Sequence, residues 1–215
     1  MDKNKQIQDL SNEIDSLIEK FRNDLKKSNS NTNIYLERLE NSKKFLNWCI
    51  SKYKISFKGS PDKIYKNQIF YCKLGVNIGS EQGDSKTGNR RPVVILQNNR
   101  GNNSSKTTII APITTHEGSI TEIEEDINGE KVKKTILKYN INGQEKIKKL
   151  DYYEVPVEIE CIYNKGIKDI TGYINLAQIR TISSKRLDKK PIAKINSNTE
   201  RNIDIGLKKL LDMKI

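Results

Sequence analysis

The sequence predicts an α+β fold in which an N-terminal α-helical hairpin precedes a small, strongly curved β-barrel with a C-terminal helix. Three observations support this prediction: an apolar stripe at helical spacing near the N-terminus, short β-rich runs in close succession after residue 60, and a capping signal before a final amphipathic segment. The 215 residues are enough for one medium-sized domain with an appendage.

The first part of the chain has the pattern of two amphipathic helices. Over residues 3–27, apolar side chains recur every three or four positions, at Ile7, Leu10, Ile14, Leu17, Ile18, Phe21 and Leu25. A polar break over residues 28–33 supplies N-cap residues for a second helix, which presents Leu36, Leu39, Leu46, Cys49 and Ile50. We expect an antiparallel hairpin whose apolar stripe forms the hairpin's own seam or a dimer seam.

After Gly59-Ser60-Pro61 the pattern changes to short strands. The predicted strands are Ile69–Leu74, Pro92–Gln97, Thr107–Ile113, Val155–Ile162 and Tyr173–Ile182. Residues 120–152 predict added hairpins with turns at Asn128-Gly129 and Asn142-Gly143. The final helix is predicted to open at Ser197, with Glu200 three residues later completing a capping box.

Positive charge is concentrated beyond the helices. The chain carries 39 Lys+Arg and 27 Asp+Glu, a formal net charge of +12. The first 50 residues contain nine basic and eight acidic side chains, so a net +11 lies in the remainder. Because a basic excess attracts polyanions such as nucleic acid, we expect the polyanion to bind the β-rich part.

The composition argues against several other classes of protein. No apolar run approaches the ~18 residues that a membrane span needs, and the N-terminus lacks a signal-peptide core. Cys49, Cys72 and Cys161 are widely separated and read as reduced cytosolic thiols, while a single histidine, His116, excludes two-histidine metal motifs. Residues 79–87 are glycine-containing but lack Walker A spacing. We therefore expect a cytoplasmic protein with no membrane partner, no cofactor and no metal.

Two short segments have the chemistry to bind a phosphodiester. The long loop after the first strand ends in Arg90-Arg91-Pro92, and a later strand ends in Thr114-Thr115-His116. Arginine presents a planar fork of donors that suits phosphate oxygens, and hydroxyls add neutral donors. Such a site can stabilise charge on non-bridging oxygens without a metal. Taken alone, Arg90 is better explained as a solvated charge and Thr114 as an ordinary strand end.

Four ordered blocks across about 63–215 resemble the MazF/PemK family of toxin endoribonucleases. They include residues 79–83 with 91–98 (GSEQG and RPVVILQN), 108–114 (TIIAPIT), 157–159 (VEI) and 176–182 (LAQIRTI), after which Ser184-Lys185-Arg186-Leu187 resembles the segment that follows. The resemblance covers neither the helical hairpin nor residues 120–152. The expected organisation is therefore a hairpin extension over 1–58 and a toxin-like domain over 63–215 with inserted hairpins at about 120–152.

The resemblance implies a CcdB/MazF-like, SH3-like barrel that acts as a homodimer. Family members cut single-stranded RNA, often mRNA, at short sequences without a metal, and a cognate antitoxin protein neutralises them. The positions that match the family's catalytic pair are Arg91 and Thr114. Positions that match RNA-contacting residues are Ser80, Glu81, Gln82 and Gln178, and Arg90 lies beside them.

The chemistry implied is attack of a ribose 2′-hydroxyl on its adjacent phosphorus. This leaves a 2′,3′-cyclic phosphate and a 5′-hydroxyl, and DNA resists because it lacks the attacking group. Arg91 would stabilise transition-state charge and contact the leaving group, and Thr114 would hold the phosphate. Arginine is a poor base, so Glu81 and His116 are the candidates for removing the 2′ proton, with His116 favoured by its pKa.

Two other functions are compatible with the same fold. One is a non-catalytic nucleic-acid-binding regulator, and the other is a gyrase-type poison acting by protein–protein contact. The helical hairpin is expected to serve as an oligomerisation or antitoxin-docking module. The lysine-rich inserted hairpins could widen the RNA-binding surface, and the expanded Asp84–Arg90 loop could alter which RNA sequence enters or act as a lid.

Overall fold

The computed structural model of the protein describes residues 3–26, 32–77, 80–84, 90–127, 130–141, 143–163 and 170–213. The chain divides into two compact units, Met1–Tyr53 and Lys54–Ile215. No helix within the described residues is long and apolar enough to cross a membrane.

The N-terminal unit is the predicted helical hairpin, built from α1 (Lys3–Lys26) and α2 (Thr32–Ser56). The apolar stripe of α1 is present but not buried: Ile7 and Leu17 each keep 66% of their surface exposed, and Ile14 keeps 58%. The expected seam within the hairpin is therefore not closed over these residues. An exposed stripe of this length contributes little to helix stability until another apolar surface covers it.

The second unit is a curled antiparallel sheet, which confirms the predicted small-barrel fold. Its strands are β1 (Gln68–Cys72), β2 (Arg91–Ile95), β3 (Thr107–Thr115), β7 (Glu154–Pro156), β8 (Ile159–Ile162), β9 (Gly172–Asn175), β10 (Arg180–Ser183) and β11 (Ala193–Ile195). They lie in the order β7-β9-β3-β2-β1-β11-β8, with β10 also pairing with β3. A short helix, α3 (Asn99–Ser104), joins β2 to β3, and α4 (Ser197–Leu210) follows the sheet.

The centre of the sheet is buried on both faces. Val93 and Val94 are both fully buried, but they belong to different apolar clusters on opposite sides of β2. Consecutive strand residues point to opposite faces, so an uninterrupted apolar run such as residues 92–95 matches a strand covered on both sides. This explains how the sequence predicted β2 as a buried strand.

Two predicted strands are each divided in the structure. Val155–Ile162 separates into β7 and β8. The amide of Val157 still bonds to Gly172 O (3.0 Å), in line with the β7–β9 register, but the amide of Glu158 turns to Thr199 Oγ1 on α4 (3.0 Å). Tyr173–Ile182 separates into β9 and β10 around a 3₁₀ turn at Leu176–Gln178. Period-two alternation cannot show such breaks, because they depend on partners far away in sequence.

The cap of α4 also differs from the prediction. Asn196, not Ser197, is the N-cap, and its side-chain oxygen accepts from the amide of Thr199 (2.8 Å). Glu200 forms an ion pair with Lys66 (2.7 Å) instead of closing a capping box with Ser197. An asparagine one residue earlier satisfies the same orphan amides.

Residues 118–149 form a separate three-stranded sheet, β4 (Gly118–Ile127), β5 (Glu130–Ile141) and β6 (Gln144–Lys149). Asn128-Gly129 and Asn142 lie outside the described residues, and Gly143 has the positive φ (79°) of a turn. Lys148 of β6 forms an ion pair with the buried carboxylate of Glu154 and donates to the hydroxyl of Tyr173 (2.9 Å). These contacts attach the inserted sheet to the barrel.

Gly172→Ala is expected to destabilise the barrel where β3 meets β9. Gly172 has φ +152°, and an added Cβ would lie 2.0 Å from the carbonyl oxygen of Thr114. We expect the free energy of unfolding to fall by about 2 kcal/mol, as measured by chemical denaturation. The control is Gly143→Asn, where an added Cβ would have no atom of the described residues within 4 Å apart from its chain neighbours. Asparagine tolerates positive φ, and the change should stay within about 0.5 kcal/mol. Equal stability of the two variants would contradict the close packing.

Candidate active site

The register of two central strands brings Arg91 and Thr114 together. β2 and β3 pair antiparallel, with Val93 opposite Pro112 and Ile95 opposite Ile110. Continuing this register by two residues puts Arg91 opposite Thr114, where paired side chains share one face of the sheet. The guanidinium Nη1 of Arg91 also donates to Ile113 O (3.3 Å). The two residues that the resemblance implies as catalytic are thus neighbours, although 23 positions separate them in the sequence.

Arg91 is held in a half-buried position by backbone oxygens. Its Nε donates to Gly83 O (2.7 Å), in addition to the bond to Ile113 O. Burial lowers the pKa of Arg91, and the nearby carboxylate of Asp84 opposes that shift. A guanidinium remains protonated at neutral pH even so. Arg91 therefore carries a full positive charge whose described hydrogen bonds go only to neutral carbonyls.

The loop between β1 and β2 lies over the pair. The side-chain amide of Gln82 donates from Nε2 to Thr114 Oγ1 (3.1 Å). The loop is fixed at its base by Asp84, whose Oδ1 accepts from the amide of Leu74 (2.7 Å) and whose own amide donates to Gly75 O (3.0 Å). Gly83 is required here, because an added Cβ would lie 2.4 Å from Gly75 O. Residues 85–89 of the expanded segment lie outside the described residues.

One atom of this closed loop has no hydrogen-bond partner among the described residues. Gln82 Oε1 is buried, while the Nε2 of the same amide is bonded to Thr114. An unsatisfied buried acceptor costs about 1–3 kcal/mol. This unsatisfied oxygen therefore offsets part of the stabilisation that the other hydrogen bonds of the loop provide. A donor that entered the site could satisfy this oxygen.

Gln178 joins the loop to the far side of the site. It ends the 3₁₀ turn before β10, and its Oε1 accepts from the backbone amide of Gln82 (3.1 Å). The same oxygen accepts from Nη2 of Arg180 (3.1 Å). The predicted RNA-contacting residues Gln82 and Gln178 are therefore brought together with Arg91 and Thr114.

The other predicted RNA-contacting residues lie at the edge. Ser80 and Glu81 are exposed on the loop, and no described hydrogen bond joins Glu81 to Arg91 or Thr114. Arg90 forms an ion pair with Asp188, and its guanidinium carbon lies 5.2 Å from the centre of the Tyr71 ring. Arg90 therefore has a direct ion-pair partner, whereas the described hydrogen bonds of Arg91 go to backbone carbonyls.

His116 lies beside the site in an aromatic cluster that the inserted sheet completes. Its ring centroid is 4.7 Å from that of Tyr139 on β5 and 6.2 Å from that of Tyr173 on β9. Burial lowers the pKa of His116, and the positive charge of Lys148 lowers it further. The imidazole is consequently neutral at pH 7, which is the form that accepts a proton.

No group of three or more His, Cys, Asp or Glu side chains that could hold a metal ion occurs within the described ranges. The site instead offers hydrogen-bond donors, one cationic and two neutral: the Arg91 guanidinium, the Thr114 hydroxyl and the side-chain amide of Gln82. Because Gln82 donates to Thr114, the threonine keeps its hydroxyl proton for an acceptor such as a phosphate oxygen. These groups together are suited to binding an anion and to stabilising charge on its oxygens.

Sequence reasoning missed three residues of this region. Arg180 reaches the site through Gln178, Asp84 fixes the loop, and Tyr173 lies opposite Thr114 in the β3–β9 ladder. The spacing Gln178-x-Arg180 was available as a signal, since strand alternation puts both side chains on one side. The contacts of Asp84 depend on loop closure and leave no pattern in the sequence.

Comparison with known proteins gives a consistent family match. Residues 65–211 match the family described as the PemK-like, MazF-like toxins of type II toxin–antitoxin systems. Endoribonuclease MazF from Staphylococcus saprophyticus is 31% identical over 124 residues, which is 56% of this chain and 97% of that protein. Endoribonuclease MazF from Staphylococcus epidermidis is 31% identical over 127 residues, covering 59% of this chain and 74% of the relative.

Solved structures give a more distant likeness. MazF from Deinococcus radiodurans aligns with a TM-score of 0.44 at 15% identity, covering 70% of this chain and 98% of that one. An endoribonuclease from a mycobacterial species, solved in complex with its cognate antitoxin, aligns with a TM-score of 0.41 at 14% identity, covering 71% and 98%.

Proposed function

The chain belongs to the PemK-like, MazF-like toxins of type II toxin–antitoxin systems and is an endoribonuclease, and from this premise we propose that it cleaves single-stranded RNA at specific sequences without a metal. Messenger RNA in the cytoplasm is the proposed target. The observation that carries the proposal is the juxtaposition of Arg91 and Thr114 at the end of the β2–β3 ladder, beneath a loop that occupies both.

The proposed reaction begins when RNA displaces the loop from these two residues. A scissile phosphate would take the place of Gly83 O at the Arg91 guanidinium and would accept a hydrogen bond from the Thr114 hydroxyl. The 2′-oxygen then attacks phosphorus and loses its proton to a base, while the bond to the 5′-oxygen breaks and that oxygen takes a proton from water. The products are a 2′,3′-cyclic phosphate and a 5′-hydroxyl end. Arg91 stabilises the charge that develops on the phosphate oxygens and on the leaving oxygen.

The identity of the base is proposed from position and protonation state. His116 follows the strand that carries Thr114, and its lowered pKa keeps it neutral at pH 7. Glu81 is exposed on the loop, and no described hydrogen bond joins its carboxylate to Arg91 or Thr114. We propose His116 as the first candidate and Glu81 as the second.

Purified protein should cut a long single-stranded RNA in EDTA at discrete positions. We expect Arg91→Ala to lower the cleavage rate about 100-fold or more, because it removes the charge that stabilises the transition state. Thr114→Ala should lower the rate by about tenfold or more, since one neutral donor to the phosphate is lost. The measurement is gel analysis with mapping of 5′-hydroxyl ends.

The matched control is Arg100→Ala, which removes an exposed arginine from α3, at the opposite end of β2 from Arg91. This variant should keep the wild-type rate. Uncut RNA with tight, salt-sensitive binding would instead support a binding-only regulator. Cleavage that requires added divalent ions would contradict the metal-free route.

The pH dependence of cleavage tests the role of His116. As pH falls through the lowered pKa of this imidazole, the base becomes protonated and kcat/KM should decline, with an inflection below pH 6.5, the ordinary value for histidine. His116→Gln should remove this inflection and reduce the rate by about 10²–10⁴-fold. Glu81→Gln is the parallel variant, and if it alone removes the acidic limb, then Glu81 and not His116 is the base.

Partners and domains are proposed on the same basis. Family membership supports a cognate antitoxin as a partner, and we propose a homodimer of the barrel, which spans about 63–215 with the insertion at about 120–152. The hairpin, over about 1–58, is proposed as an added oligomerisation or antitoxin-docking module because its apolar stripe is exposed.

Replacing Leu10 and Leu17 together by serine tests this module. Both side chains are more than half exposed, so the substitutions remove apolar surface without opening a core. We expect either a lower oligomeric mass by light scattering or weaker binding of the antitoxin by calorimetry. Ser16→Ala, away from the stripe, is the control. An unchanged mass together with an unchanged antitoxin affinity would contradict a docking role for the hairpin.

A further inference from the structure

We propose that Tyr139 of the inserted sheet is a positioning residue for the proposed base, and that it holds the His116 imidazole beside Thr114. This inference rests on the proposed function, because it concerns the residue that removes the 2′ proton. Tyr139 lies within residues 120–152, which the motifs of the resemblance do not cover. Three features support this role: the strand pairing, the ring contacts and the attachment of the inserted sheet to the barrel.

His116 lies where the chain leaves the barrel and enters the inserted sheet. β3 ends one residue before it, and β4 begins at Gly118. The amide of His116 donates to Thr171 O (3.0 Å), which continues the β3–β9 ladder by one pair. Residues two apart on a strand share a face, so the imidazole is on the side of the sheet that carries Thr114. The backbone thus fixes the position of His116, while the orientation of its ring depends on what packs against it.

The pairing of β4 with β5 brings Tyr139 to this point. Gly118 and Tyr139 are the first pair of that ladder, and an added Cβ on Gly118 would lie 2.0 Å from Lys138 O. The absence of a side chain at Gly118 thus allows β5 to approach the chain two residues after His116. The ring centroid of Tyr139 lies 4.7 Å from that of His116, with the ring planes tilted by 39°. Aromatic rings at this separation are in direct contact.

The face of β5 that carries Tyr139 is attached to the barrel. Leu137, two residues earlier on that face, is fully buried, and it pairs with Lys148 of β6. Lys148 forms an ion pair with the buried carboxylate of Glu154 and donates to the Tyr173 hydroxyl (2.9 Å). Separating that ion pair would leave a buried charge without a partner, which is strongly unfavourable. These contacts resist movement of β5 and β6 away from the barrel, and they hold Tyr139 in place.

A second aromatic ring faces His116 from the barrel itself. Tyr173 lies opposite Thr114 in the β3–β9 ladder, and its ring centroid is 6.2 Å from that of His116 with nearly parallel planes (19°). The Tyr173 side chain is buried, and Lys148 binds its hydroxyl. Two fixed rings therefore restrict the orientations that the imidazole can adopt. A general base acts efficiently only when it is within hydrogen-bond reach of the proton and aligned with it.

The contact can be tested in the free protein because His116 is the single histidine of the chain. Its Cε1–H resonance is recorded by NMR on the untagged full-length protein at about pH 8, where the imidazole is neutral. Tyr139→Leu removes the ring and keeps an apolar side chain, whereas Tyr139→Phe keeps the ring. We expect the resonance to move in Tyr139→Leu, because the ring current is lost, and to stay near its wild-type position in Tyr139→Phe.

Cleavage kinetics test whether the contact matters for the reaction. We expect Tyr139→Leu to lower kcat about tenfold with little change in KM, since a misplaced base slows the chemical step and leaves RNA binding intact. Tyr139→Phe should retain most of the wild-type kcat. The matched control is Tyr163→Leu, which replaces an exposed tyrosine that follows β8, the strand at the far end of the sheet. This control should keep the wild-type resonance and the wild-type rate.

A double-mutant comparison separates a positioning role from a general effect on the fold. In a His116→Gln background, Tyr139→Leu should change kcat by less than about twofold, because the residue through which it acts is gone. An equal loss in both backgrounds would show that Tyr139 acts through the fold and would overturn the proposal. An unmoved resonance in Tyr139→Leu, or a moved resonance with a wild-type kcat, would overturn it as well.

Failure of this inference is distinguishable from failure of the proposed function. If the wild-type protein leaves RNA intact in EDTA, or if His116→Gln cuts RNA at the wild-type rate, the proposed reaction or its base fails, and this inference fails with it. If His116→Gln is slow but Tyr139→Leu cuts RNA at the wild-type rate, only the positioning role of Tyr139 fails.

Discussion

The antiparallel register between β2 and β3 is the constraint on which the rest of the site depends. It sets Arg91 opposite Thr114, and the buried side chains of Val93, Val94, Ile110 and Ala111 resist any slip. A shift by one residue would turn each of these side chains to the other face of the sheet. The apolar packing of the strand centres thus fixes the geometry of polar groups at their ends.

β3 extends this constraint to the other residues of the site. Ile110 of β3 pairs with Arg180 of β10, and Thr114 of β3 pairs with Tyr173 of β9. The position of β3 therefore also sets the positions of Arg180 and Tyr173. Gly172 allows β9 to approach closely enough for the second pairing. Functional groups from three partner strands are therefore positioned by one nine-residue strand whose central residues are buried.

The loop over the site provides in the free protein what a ligand would provide in the complex. Gly83 O lies at the Arg91 guanidinium, and the Gln82 amide bonds to Thr114. Arg91 would otherwise be a half-buried charge with fewer acceptors, an arrangement that is unfavourable without a ligand. The unsatisfied Oε1 of Gln82 offsets part of this stabilisation. These opposing effects are consistent with the proposed displacement of the loop by RNA.

Features that depend on residues close together in the sequence could be predicted, whereas features that depend on contacts between distant residues could not. The helices, the central strands and the Arg91–Thr114 pair were predictable, because periodicity and ordered motifs are local or follow the family pattern. The contacts of Gln82 with Gln178, 96 positions apart, depend on tertiary closure. The break within Val155–Ile162 depends in the same way on the contact of Glu158 with α4. The exposure of the α1 stripe was not predictable either, since periodicity shows that a face is apolar but not what covers it.

The central claim is that this site promotes attack by a ribose 2′-hydroxyl. Removing that one oxygen from the substrate tests the claim most directly. An RNA carrying a single 2′-deoxynucleotide at a mapped cut position would be compared with its all-ribose counterpart, with products weighed by mass spectrometry. The account predicts no cleavage at the deoxy position and, for the all-ribose strand, a fragment that ends in a 2′,3′-cyclic phosphate. Cleavage of both strands at the same rate, or products with 5′-phosphate ends, would contradict it.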